Sequence, residues 1–187
     1  FHVARGERLL IMGLNGAGKT SLLKILADVL RADAGSFRLG HGVSLGYYAQ
    51  EHEGIRDGES VLAHVRAESL DASDQDLRRL LGMFGLIGPV AFQDAGTLSG
   101  GEKTKLALAQ LVAGRRNLVL LDEPTNNLDP PSRTAVAEAL AGWSGSMVLV
   151  SHDVEFVRAL SPHKVLMMPD GELAFWDDEL LGLVALA

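Results

Sequence analysis

The chain has no cysteine in its 187 residues, so neither a disulfide framework nor a thiolate metal site can be built. That fits a reducing compartment. Positive charge is also scarce, with 17 Lys plus Arg against 24 Asp plus Glu and a formal net charge of −7. This balance argues against a surface made mainly to grip a phosphate backbone, and any nucleic-acid contact must be local or borrowed. Long hydrophobic runs are missing too. Segments such as Leu118 to Leu121 and Met147 to Val150 fall far short of the roughly 18 residues of a membrane span. No charged segment followed by an apolar stretch and a small-residue cleavage site opens the chain, so a cytoplasmic location is the expectation. Phe1-His2-Val3-Ala4 runs at once toward a strand and a glycine-rich loop, without a start methionine, and reads as the beginning of a piece of a longer polypeptide.

What is present is an ordinary globular composition, 47% hydrophobic and 22% charged, at a length that predicts little more than one domain. Leu9 to Met12 is a short apolar run bounded by glycine, the pattern of a buried strand. After Gly13 to Gly18, apolar residues at helical spacing predict a helix over 19–30. Asn117 to Asp122 and Ser146 to Ser151 repeat the buried-strand pattern, and an alanine-rich helix from Pro131 to Trp143 lies between them. This βαβ alternation predicts a largely parallel sheet with right-handed crossovers. Between residues 50 and 98 the character turns amphipathic and charged, with candidate helices at Ser60 to Glu68 and Ser73 to Phe84. A helical subdomain spanning 51–98, inserted into a single domain of 1–187, is the reading. Lys164 to Met168 and Glu172 to Trp176 flank Pro169-Asp170-Gly171, which predicts a hairpin before a last helix.

Gly13-Leu14-Asn15-Gly16-Ala17-Gly18-Lys19-Thr20 fits G-x-x-x-x-G-K-[ST] between a predicted strand and a predicted helix. Glycines let successive N–H groups turn inward, forming an anion cradle at the positive end of the helix. Lys19 would reach the β and γ phosphates, Thr20 would offer its hydroxyl to Mg²⁺, and Ser21 completes the loop. A glycine-rich turn with a solvated lysine is the plainer alternative. Leu118 to Leu121 ends in Asp122-Glu123, and a buried strand rarely ends in two acids without a cation or partner to offset desolvation. Asp122 would hold Mg²⁺, and Glu123, one residue further, would orient and deprotonate the attacking water. The plainer reading of these acids is an exposed strand end that caps the next turn.

Leu98-Ser99-Gly100-Gly101-Glu102 resembles the signature of the ATP-binding cassette superfamily. Ser99 and Glu102 also fit a capping box, which presents N–H groups at a helix start. The resemblance implies an α/β fold: a P-loop NTPase core with a largely parallel sheet plus a helical subdomain. It further implies that ATP with Mg²⁺ is bound and hydrolysed, and that the signature meets the nucleotide of an opposing cassette, so one copy cannot complete a site. The partner cassette would lie in the same polypeptide or in a second copy. Gln50, in Tyr47-Tyr48-Ala49-Gln50, is similar to the glutamine that senses Mg²⁺ and water. Leu128-Asp129 is similar to the dimer-facing loop, and His152 to the switch histidine near the γ phosphate. The remaining histidines, Tyr47, Tyr48 and Trp176 read as structural.

Within the superfamily, LSGGEKTKLALAQL and Pro124-Thr125-Asn126-Asn127-Leu128-Asp129 resemble the ABC-F subfamily. Its members are soluble two-cassette proteins that act on the ribosome in translation control or antibiotic resistance. Gly46 to His52 is similar to their second cassette, so the C-terminal one is expected. Cassettes carry an adenine-stacking aromatic well upstream of the phosphate loop, whereas 12 residues precede Gly13 here. Stacking of a base is worth about 1–3 kcal/mol, so weak ATP binding by this piece alone is the expectation. An energising subunit of a membrane transporter would share every catalytic residue, and a nucleotide-gated interaction module would share the cradle without turnover.

Overall fold

A computed structural model describes residues 1–49, 54–69 and 71–185. Five parallel strands and one antiparallel strand form a single sheet in the order β2-β3-β4-β1-β5-β6. They are β1 (Arg8–Met12), β2 (Leu45–Tyr48), β3 (Leu118–Asp122), β4 (Ser146–Val150), β5 (Lys164–Met167) and β6 (Glu172–Phe175). Among the described residues only β6 runs against its neighbour, closing the hairpin predicted from the proline-led turn. The helices are α1 (Lys19–Leu26), α2 (Val61–Glu68), α3 (Asp74–Met83), α4 (Gly100–Ala113), α5 (Pro130–Ala141), α6 (Val154–Leu160) and α7 (Leu181–Val184).

Alternate residues of the strands feed two separate cores. Leu10, Met12, Val119, Leu121, Met147 and Leu149 join the larger one, beneath α2 to α6. Leu9, Ile11, Leu120, Val148 and Val150 join the smaller one with Leu23 of α1. Strands covered on both faces read as unbroken apolar runs, which is why β1, β3 and β4 are visible in the sequence. β2 is not, because Gly46 interrupts it. A Cβ on Gly46 would sit 2.8 Å from Leu111 Cδ2 and 3.2 Å from Arg116 Cγ, so glycine lets the side chains of Leu111 and Arg116 lie close against the strand.

The helix predicted over 19–30 stops at Leu26. Asp28 takes a left-handed conformation, φ 59°, and the N–H groups of Val29 and Leu30 both donate back to the Lys24 carbonyl. The alanine-rich helix begins at Pro130, one residue before the expected start, and stops at Ala141, two residues short of Trp143. In the 51–98 stretch, Ser60 and Ser73 cap α2 and α3 by accepting from Ala63 N and Asp76 N. Short 3₁₀ turns at Gly88–Phe92 and Ala95–Thr97 then lead into α4.

Candidate functional site

The carboxyl ends of β1, β3 and β4 lie side by side, with Ile11 in register with Val150 and Asp122 in register with Val150 on its other side. The segments that leave these ends are therefore neighbours: the loop from Gly13, the acid pair, and Ser151-His152. Ligands in open α/β sheets bind at this edge. A cleft of about 380 Å³ opens there, lined by residues 15–21 together with Asp122, Glu123, Asn126, Val150 and His152.

The loop turns through glycines with positive φ at 13, 16 and 18. Gly18 precedes α1 directly, so the start of the helix, whose first N–H groups lie outside the intrahelical ladder, borders the cleft. Lys19 is mostly buried, and its Nζ donates to the carbonyls of Gly13 and of Leu14, folding the ammonium over its own loop. Burial lowers the Lys19 pKa, opposed by the charges of Glu123 and Asp122.

Thr20 Oγ1 donates to Asp122 Oδ1 at 3.2 Å. Asp122 is 4% exposed, and burial raises its pKa against the Thr20 hydrogen bond and the charges of Lys24 and Lys19. A buried carboxylate paired with a hydroxyl beside a phosphate cradle is a suitable oxygen donor set for Mg²⁺. Among the described residues no three His, Asp or Glu converge on a metal site.

Glu123 sits beyond the strand end in a left-handed conformation, φ 49°, with its N–H donating to Val150 O at 2.9 Å. That reversal turns the carboxylate back toward β4. His152 Nε2 lies 2.8 Å from Glu123 Oε1, a close contact without hydrogen-bond alignment, while His152 N–H donates to Oε2 at 3.3 Å. Burial raises the Glu123 pKa, the His152 ring and N–H oppose it, Asp122 reinforces it, and Lys19 opposes it. The arrangement can hold a phosphate chain, seat a divalent cation and take a proton from water.

The signature stretch lies elsewhere. Leu98 is buried, Ser99 and Gly100 are exposed, and none of residues 98–102 lines the cleft. Ser99 caps α4 through a complete capping box: Glu102 N donates to Ser99 Oγ at 3.4 Å, and Ser99 N donates to Glu102 Oε2 at 2.9 Å. The Ser99 hydroxyl also donates to Glu102 Oε2 at 2.7 Å, and these bonds hold the Glu102 carboxyl below the usual range. Gly101 packs beside the loop that carries Leu128 and Asp129, since a Cβ on it would lie 2.9 Å from Asn127 O. Leu128 is buried and Asp129 stands at the N-cap position of α5 without a side-chain capping bond, and the contact at Gly101 sets the signature beside that loop.

Gln50 lies outside the described residues. Two cleft-related residues escaped the sequence reading. Asn126 lines the cleft, its N–H donating to Glu123 O at 3.3 Å. Lys24 acts on the charge of Asp122, and its place four residues after Thr20, on the same helical face, was the available signal. No helix among the described residues is long and apolar enough to cross a membrane.

Comparison with known proteins gives three kinds of match. The family model described as "ABC transporter" matches residues 1–126. The "Probable ATP-binding protein YheS" of Haemophilus influenzae is 45% identical over 154 residues, 82% of this chain and 24% of that protein. The "Probable ATP-binding cassette sub-family F member 3 homolog" of Encephalitozoon cuniculi is 38% identical, over 94% of this chain and 31% of that protein. The chain thus spans about a quarter to a third of the length of these relatives. Among solved structures, a dimeric post-hydrolysis ATP-binding cassette bound to ADP and phosphate superposes with a TM-score of 0.75. It covers 94% of this chain and 88% of that one at 20% identity, a likeness of fold.

Proposed function

This chain belongs to the ABC transporter family of ATP-binding domains, in its ABC-F branch, and from that membership we propose that it is the ATP-hydrolysing cassette of an ABC-F protein. The observation that carries the reading is the convergence, in one cleft, of the phosphate loop, the Thr20–Asp122 pair and the Glu123–His152 contact. The finer proposal is the C-terminal cassette of a longer cytoplasmic protein that acts on the ribosome, in translation control or drug protection. Its support is the resemblance of the motifs and the sub-family named for one relative.

The inward N–H groups of the loop bind the β and γ phosphates, and Lys19 exchanges its two carbonyl partners for phosphate oxygens. Mg²⁺, held through Thr20 and Asp122 and, by resemblance, Gln50, would neutralise charge on those oxygens. Glu123 accepts a proton from water as its oxygen bonds to the γ phosphorus and the bond to the ADP oxygen breaks. His152, through its ring and N–H, fixes the carboxylate in place. The exposed Ser99 cap and the adjoining Leu128-Asp129 loop face a second cassette, which supplies the matching surface in return.

Two variants of the complete protein test this. Glu123→Gln should retain ATP binding and lose about 10²- to 10⁴-fold in turnover, the usual contribution of a positioned base. Lys19→Ala should lose nucleotide affinity. Normal turnover in the first, or an unchanged ATP titration in the second, removes the assignment. Co-sedimentation with ribosomes, against co-purification with membrane proteins, decides between the ribosomal role and a transporter role.

A further inference from the structure

Met168 follows β5 directly and lies beneath the phosphate loop. Its N–H donates to Met12 O at 2.7 Å, the last residue before the loop. A Cβ on Gly13 would stand 2.5 Å from Met168 O and 3.1 Å from Met168 Cβ, so the loop's first glycine is pressed onto this residue. At the other end, a Cβ on Gly18 would stand 3.7 Å from Met168 Cε. One side chain thus spans from the entry of the loop to its exit. The residue also packs against the smaller core, which holds Leu23 of α1 and Leu166 of β5.

We propose that Met168 is a positioning residue for the phosphate loop, a wedge between its two end glycines that holds the backbone N–H groups in the phosphate-binding arrangement. The proposal rests on the nucleotide reading above. A loop with three glycines has many backbone states open to it, and ordering it on binding costs affinity. The wedge removes part of that cost beforehand. An unbranched thioether suits the task, because it fills an irregular gap without demanding one rotamer. When only a fraction of molecules is binding-competent, apparent affinity falls by that fraction while the bound complex is unchanged. Loss of the wedge therefore weakens ATP binding and leaves turnover at saturation alone.

The test uses the complete protein, with ATP titrations, steady-state ATPase and thermal melts. Met168→Ala should raise the apparent Kd and KM for ATP about tenfold, as for a tenfold fall in competent loops, with kcat within about twofold of the parent. Met168→Leu, which like Met168→Ala keeps the backbone and Cβ contacts at Gly13, refills part of the gap but has no ε carbon to reach Gly18, and should show a rise of about twofold to threefold. Leu166→Ala, in the strand that precedes Met168 and in the core it packs against, should lower the melting temperature without raising KM. An unchanged KM in Met168→Ala overturns the wedge, as does an equal rise in Leu166→Ala. If Met168→Ala does not fold, an unchanged KM in Met168→Leu overturns it equally. Lys19→Ala, measured alongside, must lose ATP affinity; if it does not, the cradle itself falls rather than the wedge.

Discussion

Glu123 is raised above the ordinary carboxylate range chiefly by burial and is pulled back by the His152 ring and N–H. If Glu123 is the base proposed above it must be ionised to act, so turnover should fall as acid protonates it, along a limb that lies above the ordinary carboxylate range. Removing a group that lowers the pKa raises it further. His152→Ala should therefore move the acid limb of the kcat profile to higher pH, in addition to lowering its plateau. A limb that stays in place would show that the ring does not act on this carboxylate. The placing of Asp122 and Glu123 at a strand end beside the phosphate loop was legible in the sequence, because an apolar strand ending in two acids demands a reason. The turn that aims Glu123 at His152 was not. It depends on a left-handed residue with no glycine or asparagine to announce it, and on a partner 29 residues away.

Elements show the same division. Helix α4 announces its start through Ser99 and Glu102 spaced three apart, and the structure forms both halves of that capping box. Helix α1 does not announce its end, since neither glycine nor proline marks Asp28 and the apolar period runs on to Leu30. Arg8 is a further case. It reads as an ordinary charge at a strand start, yet its guanidinium donates to Leu160 O, the last residue of α6. It also donates to Ala141 O at 2.7 Å, the last residue of α5, and to Trp143 O at 3.3 Å. A cation that satisfies the carbonyls of two helix ends is doubly favourable there. Charged hydrogen bonds contribute about 1.5–3 kcal/mol each without full additivity, so Arg8→Ala should destabilise the fold by about 2 kcal/mol or more in denaturant titrations. A loss under about 0.5 kcal/mol would mean the carbonyls find other partners.

Across the whole molecule, the sheet order brings the loop, the acids and His152 to one edge, and this could be anticipated only in outline from the βαβ alternation. The placing of β1 between β4 and β5 does the work, since it sets Met12 and Val150 at adjacent strand ends. Ser99 is carried on α4, whose exposed cap stands outside the cleft although the chain joins them. Groups that act within one pocket show strong coupling when altered together, and groups in separate pockets do not. A double-mutant cycle of Lys19→Ala and Ser99→Ala in this cassette should accordingly give ATP-binding losses that add within about 0.5 kcal/mol. On the proposed arrangement each lesion would spoil a different nucleotide, and a molecule bearing both would be thermodynamically the sum of two unrelated injuries.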